Sequence, residues 1–159
     1  MRAQFVFATL FPQFVFASRV VYNLNANWRW QNVSAKAGGP PAGPCSVPEG
    51  APATDDSAWR VVAVPHDSVV EGNFSQYEDA SAGFLPPVSA WYRKHLAVPA
   101  AWATSTVWLD LDGVMQNSSV YLNGALLGYH SSGFTAARYF ISNGTAMKFG
   151  VGLCHDAAW

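Results

Sequence analysis

The run Val120-Tyr121-Leu122-Asn123-Gly124-Ala125-Leu126-Leu127-Gly128 constrains the fold more than any other stretch. Asn-Gly between two apolar segments favours a two-residue type I′ turn, whose central positions both need positive φ. The spacing predicts an antiparallel hairpin with Asn123 and Gly124 at its tip. The same period-2 logic recurs along the chain. Val107, Leu109 and Leu111 alternate with Thr106, Trp108 and Asp110, which predicts a half-buried strand. Residues 59–64 alternate too and stop at Pro65, since proline cannot donate to a ladder. Residues 91–98, between Pro86-Pro87 and Pro99, put Tyr92, Leu96 and Val98 on one face and Arg93 and His95 on the other. Lys94 falls on the apolar face, which predicts an edge position or an amine reaching out to water. Further strands are predicted over 138–141 and 149–153, with 20–31 as an extended leading segment. No stretch carries a 3.6-residue apolar stripe with caps. The pattern predicts an antiparallel β-sandwich.

Composition supports one packed domain. The chain has 159 residues, of which 50% are apolar and 14% aromatic, including seven Trp. That is enough for a real core and far from a disordered composition. Only 12% of residues are charged, and nine basic against ten acidic residues leave a net charge of −1. Phosphate binding needs clustered Lys and Arg, so nucleic acid is not an expected partner. Cys45 and Cys154 are the two cysteines. They fit no metal spacing or disulfide framework, and either two separate thiols or one bridge satisfies the sequence. No metal or other cofactor is expected. His66, His95, His130 and His155 lack zinc-ligand spacing.

The first residues read as a secretory signal. Met1-Arg2 gives a positive start, residues 3–16 are mostly apolar, and a cut after Ala17 is expected. The alternative is a first strand of the domain itself. The stretch is too short and interrupted for a membrane span. Asn32, Asn73, Asn117 and Asn143 each open an Asn-x-Ser/Thr acceptor triplet. Four such triplets exceed the roughly one that this composition yields by chance, and they predict a secreted or lysosome-like glycoprotein. Residues 33–57 hold Pro40, Pro41, Pro44, Pro48 and Pro52 with four Gly. That composition builds neither helix nor central strand, and predicts a mobile surface insert. The expected organisation is a leader over 1–17 and one domain over 18–159.

Six ordered blocks go further than periodicity. They are Asp56-Ser57-Ala58-Trp59-Arg60 with Val64-Pro65-His66-Asp67; Gly83-Phe84-Leu85-Pro86; Trp91-Tyr92-Arg93-Lys94; Asp112-Gly113-Val114; Val120 to Gly124; and Gly128-Tyr129-His130 with Gly133-Phe134-Thr135. In this order and spacing they resemble the N-terminal, sugar-binding-type domain of glycoside hydrolase family 2, the β-galactosidase-like enzymes. The resemblance implies an all-β jelly roll of galactose-binding-domain type. It also implies that the blocks are structural, that the parent hydrolyses glycosides, and that the domain buttresses a catalytic barrel and lends a loop to its active site. The partners implied are carbohydrate and the parent's immunoglobulin-like and barrel domains. Ser68 stands where the family has Trp, the 33–57 insert is long, and the match decays beyond Gly144, so the sandwich is expected to be incomplete at its C-terminal side.

The residues offer no catalytic site of their own. A retaining glycosidase needs two carboxyl groups about 5–5.5 Å apart. Asp110 and Asp112 would share one strand face, whereas Asp55/Asp56 and Glu78/Asp79 read as solvated loop pairs. His66-Asp67 has no serine elbow beside it, and reads as a strand-ending turn whose side chains bond to backbone. Arg93 is expected to pair with a carboxylate such as Asp112. A free-standing carbohydrate-binding module and an adhesion or scaffolding sandwich are the competing readings.

Overall fold

The computed structural model describes residues 3–9, 18–33, 54–80, 83–99, 102, 105–143 and 149–156. Among the described residues ten strands form two sheets, and every pairing is antiparallel. The strands are β1 (Ala3–Thr9), β2 (Ser18–Asn23), β3 (Trp28–Asn32), β4 (Arg60–Val62), β5 (Ser89–Leu96), β6 (Thr106–Leu111), β7 (Ser118–Leu122), β8 (Ala125–His130), β9 (Ala137–Asn143) and β10 (Phe149–Asp156). One sheet runs β2-β1-β6-β9 and the other β4-β3-β5-β10-β7-β8. The expected β-sandwich is therefore the observed fold.

The core forms where alternating faces of the two sheets meet. Val107, Leu109 and Leu111 of β6 are buried, and Thr106, Trp108 and Asp110 lie between them on the other face. The opposite sheet contributes Trp28, Val62, Ala90, Tyr92 and Val120, with Leu24, Val64, Val88, Trp102 and Val114 from the connections. The β7–β8 hairpin turns on Asn123 (φ 50°) and Gly124 (φ 84°), with Leu122 opposite Ala125. This is the two-residue turn that the Asn-Gly pair demands.

Three expectations need correction. The 20–31 segment is not one strand. It breaks at residues 24–27, where Asn27 has φ 57°, and crosses from β2 in one sheet to β3 in the other. The alternation over 59–64 yields only three paired residues in β4, because the Val64 amide leaves the ladder to bond the Asn25 carbonyl (2.7 Å). Lys94 is neither at an edge nor in water. Strand β5 lies inside its sheet, and Lys94 is 9% exposed with its Nζ donating to the Ala26 carbonyl. The crossing segment explains why. Its carbonyls of Leu24, Asn25 and Ala26 accept from the Trp28 indole, the Val64 amide and Lys94 respectively. Buried carbonyls need such partners.

Strand β1 occupies the apolar stretch near the start, between β2 and β6. The expected cleavage position at Ala17 lies outside the described residues, as do Cys45 and residues 34–53 of the insert. The insert's two ends are held: the Val33 amide bonds Ser89 (2.8 Å), and the Thr54 carbonyl accepts from Arg93 (2.7 Å). Strand β10 fills the centre of its sheet, with Leu153 opposite both Tyr92 and Val120.

Register places three connections at one end of the six-stranded sheet. Ser89 of β5 stands opposite Asp156, the neighbouring His155 opposite Ser118, and Ser118 opposite His130. The chain therefore enters β5, enters β7 and leaves β8 along one row. Three strand spacings separate β5 from β8, about 14 Å.

Candidate functional site

The loop entering β5 is rooted in a polar cluster. Beyond the cis Val64–Pro65 bond, Asp67 accepts the Val69 amide (3.0 Å) and starts a short 3-10 turn, Val69–Glu71. This is the backbone-bonded turn expected of Pro65-His66-Asp67. His66 does more than that. Its Nε2 lies 2.6 Å from Arg60 Nη2 and 3.3 Å from Glu71 Oε1, and its Nδ1 lies 2.7 Å from the Tyr92 hydroxyl. A guanidinium can only donate. Nε2 must therefore accept, and the ring carries its proton on Nδ1, donating to Tyr92. Trp30 meets the His66 ring edge-on at 5.5 Å, and Arg60 lies 4.5 Å over the Trp30 ring. Glu71 receives Arg60 Nη2 on both oxygens (2.7 and 2.8 Å). That bond holds the Glu71 carboxyl below its usual range. Burial pushes the Tyr92 phenol up to about 12.

A second cluster covers the outer face of β5. Asp56 Oδ2 lies 2.6 Å from His95 Nε2 and 3.6 Å from Arg93 Nη1, and the Arg93 guanidinium lies 5.7 Å from the Trp59 ring centroid. Trp59 and Trp91 are buried here with Tyr121 and Val33 packed on them. Arg93 does have its expected carboxylate, but it is Asp56, not Asp112. Asp112 is exposed just past the end of β6. Asp110 likewise faces outward and takes Arg138 on both oxygens (2.6 and 2.8 Å).

The glycine blocks set the remaining loops. Gly83 needs its positive φ of 69°. A Cβ on Gly72 would meet the Pro86 ring at 3.2 Å, so Pro86 packs the two ends of the 72–86 loop together. Gly113 and Gly133 bring residues 112–117 and 131–136 into contact, since a Cβ on Gly133 would run into Met115. His130 Nε2 reaches Thr135 Oγ1 (2.9 Å), closing the turn that carries Phe134. Gly128 leaves room for the Tyr139 ring.

The sequence reading missed what these loops display. Phe74 (77% exposed), Tyr77 (88%) and Phe134 (85%), with Phe84 and Met115 less so, project from the three connections that share one end of the sandwich. The signal was present in Phe74, Tyr77 and Phe84. They stand between Gly72 and Pro86, three aromatics spread among polar residues and Gly83, too sparse to complete the buried face of a helix or strand. Of the acceptor asparagines, Asn73 is exposed on this loop, and Asn32 is half-buried in β3. Asn117 (φ 52°) accepts the Tyr129 hydroxyl (2.7 Å), and the Asn143 side chain lies outside the described residues.

No family model matches the chain. It is 39% identical over 90 residues to a β-galactosidase of Bacteroides ovatus, a match covering 55% of this chain and 11% of that protein. It is 33% identical over 114 residues to a putative β-glucuronidase of Formosa agariphila, covering 66% of this chain and 11% of that one. A solved β-glycosidase from Bacteroides vulgatus superposes with TM-score 0.68 at 29% identity, over 84% of this chain and 17% of that structure. The chain belongs to glycoside hydrolase family 2, as its N-terminal β-sandwich domain. It spans about a tenth of the length of the curated relatives it matches. Trp59, Trp91 and Arg93 build the outer cluster, Tyr92 and His66 the inner one, Lys94 holds the crossing segment, and Asn123-Gly124 makes the hairpin.

Proposed function

We propose that this family 2 domain serves, without catalytic groups of its own, in a glycosidase of β-galactosidase type. The observation that supports a contact role is the set of exposed aromatic side chains on two connections, with Met115 on a third, at one end of the sandwich. Aromatic faces stack on the C–H surfaces of pyranoses and also dock against neighbouring protein. Beside Phe134 in the chain stand Ser131, Ser132 and Thr135, and the adjoining 112–117 connection adds Gln116 and Asn117, with the exposed Asp112 at its start. Five carboxylates are engaged in ion pairs or turns. Asp56 holds His95 and Arg93, Glu71 holds Arg60, Asp110 holds Arg138, and Asp55 and Asp67 cap turns. Purified chain is expected to leave nitrophenyl β-galactoside and β-glucuronide intact. Turnover that survives repurification and disappears in the Asp110→Asn or Glu71→Gln chain would defeat this reading.

The same aromatic end also favours a second reading, a self-sufficient carbohydrate-binding module. A glycan array separates the two. Retention on neutral β-galactosides that is lost in Phe134→Ala supports the module, and a flat array leaves the accessory role. For localisation we propose the secretory route, with Asn73 as the exposed acceptor. N-glycanase treatment of chain from a secretory host should raise mobility, and Asn73→Gln should remove most of that shift.

A further inference from the structure

We propose that Arg60, His66, Glu71 and Tyr92 form a proton-operated latch at the root of the 72–86 loop. The argument starts from the crowding at His66 Nε2, where Arg60 Nη2 stands 2.6 Å away and Glu71 Oε1 3.3 Å away. Only a neutral ring with its lone pair on Nε2 accepts from the guanidinium. The other ring nitrogen is committed to the Tyr92 hydroxyl at 2.7 Å, and Trp30 and Tyr92 meet the ring edge-on at 5.5 and 5.7 Å. The ring is thus held on two sides and has little room to turn away.

Adding a proton puts an N–H on Nε2, facing a second cation with no acceptor between them. Glu71 Oε1 is the acceptor in reach, and it already serves Arg60. The protonated ring takes Glu71, and Arg60 is driven from both His66 and the face of Trp30. Arg60 lies on the edge strand β4 with its side chain half-exposed, so it has solvent to move into. Glu71 is the last residue of the 3-10 turn and immediately precedes the loop that displays Phe74 and Tyr77. Exchanging its partner therefore changes what anchors that loop to β4. The charged and titratable groups around the ring are Arg60 from β4, Asp67 and Glu71 from the turn, and Tyr92 from β5. Strand β3 contributes Trp30, which carries no charge. Asp67 is occupied with the Val69 amide.

The test uses the whole chain and two readouts. Nitrogen-15 NMR of the His66 ring follows its tautomer and protonation. Hydrogen exchange follows the Gly72 and Ser75 amides, which bond the Val69 and Phe84 carbonyls. While the ring is neutral its proton should sit on Nδ1. As His66 takes up its second proton, the protection factors of both amides should fall about tenfold, the mark of a local opening rather than global unfolding. His66→Gln cannot gain the proton and should give flat protection over the same range. Arg60→Met, at an exposed edge position, should keep the His66 titration but lose the change in exchange, and it serves where His66→Gln does not fold. A neutral ring protonated on Nε2, protection unchanged through the His66 titration, or the same loss in either variant overturns the latch.

Discussion

Arg93 and Lys94 are adjacent cations on one central strand, sent to opposite faces of its sheet, and they are buried almost equally at 5% and 9% exposure. Their surroundings differ. Arg93 has a carboxylate, a backbone carbonyl and an indole face: Asp56, Thr54 and Trp59. Lys94 has the Ala26 carbonyl, and burial lowers its pKa. The guanidinium is planar, weakly hydrated and many-armed, so it can hold an acid, a carbonyl and a ring together. The ammonium is a compact point charge that suits a single carbonyl. One strand thus buries one cation as a hub that straps chain to its outer face, and the other as a pin through the segment joining the two sheets.

The largest expected effect tests the hub. Arg93→Met leaves Asp56, whose side chain is 12% exposed, facing His95 without the guanidinium. Breaking a buried pair from one side costs about 3–5 kcal/mol, to be read by urea unfolding at neutral pH. A loss below about 1 kcal/mol would mean that His95 alone satisfies Asp56, and the hub would reduce to packing on Trp59.

Tyr92 immediately precedes the two cations in sequence and shares the inner face with Lys94. Its phenol is pushed by burial from 10.0 to about 12 in the folded chain. Between those values the folded state keeps a proton that the unfolded state has released, so stability falls as pH rises from about 10 to about 12. A two-unit shift corresponds to about 2–3 kcal/mol across that window. Urea unfolding in Tyr92→Phe should lose this alkaline decline while keeping the other slopes. An equal decline in the variant would assign it elsewhere.

Asp56→Ala approaches the hub from the acid side. It removes the hydrogen bond from His95 and the charge near Arg93, while the bond from Arg93 to Thr54 stays. The expected cost is about 2 kcal/mol, the range for hydrogen bonds to charged groups. A cost equal to that of Arg93→Met would show that the two side chains act only through each other.

How far this architecture was legible in the chain follows from burial. Strand β6 and the β7–β8 hairpin could be read because one face is buried and the other is not, so period 2 appears in the letters. Strand β5 is buried on both faces from Ala90 to Lys94. Alternation there is lost, and Lys94 looks misplaced when it is partnered. The partner of Arg93 was not readable either. Asp56 and Asp112 are equally plausible by composition, and only the 54–59 segment lying over the outer face decides between them. Split strands hide for a related reason. The crossing at 24–27 is held by carbonyl acceptors, and backbone acceptors leave no mark on side-chain sequence. The aromatic end was missed because exposed Phe and Tyr in a loop spell the same as core residues until the sheets are assembled.

The smallest effect tests the pin, and its sign carries the information. Lys94→Met keeps the length of the stem, removes a charge that burial disfavours, and leaves the Ala26 carbonyl without its donor. Those changes oppose one another, so the net shift at neutral pH should stay within about 1 kcal/mol. Alkaline pH then separates pin from filler. The folded amine loses its proton below the unfolded value near 10.5. In that window the unfolded chain holds more protons, so stability rises with pH on the approach to 10.5. The rise should be present in the parent chain, absent in Lys94→Met, and unaffected by Arg93→Met, whose guanidinium stays charged throughout. A Lys94→Met chain that still gains stability as pH rises toward 10.5 would place the titrating group elsewhere, and the contrast between the two faces of β5 would then rest on Arg93 alone.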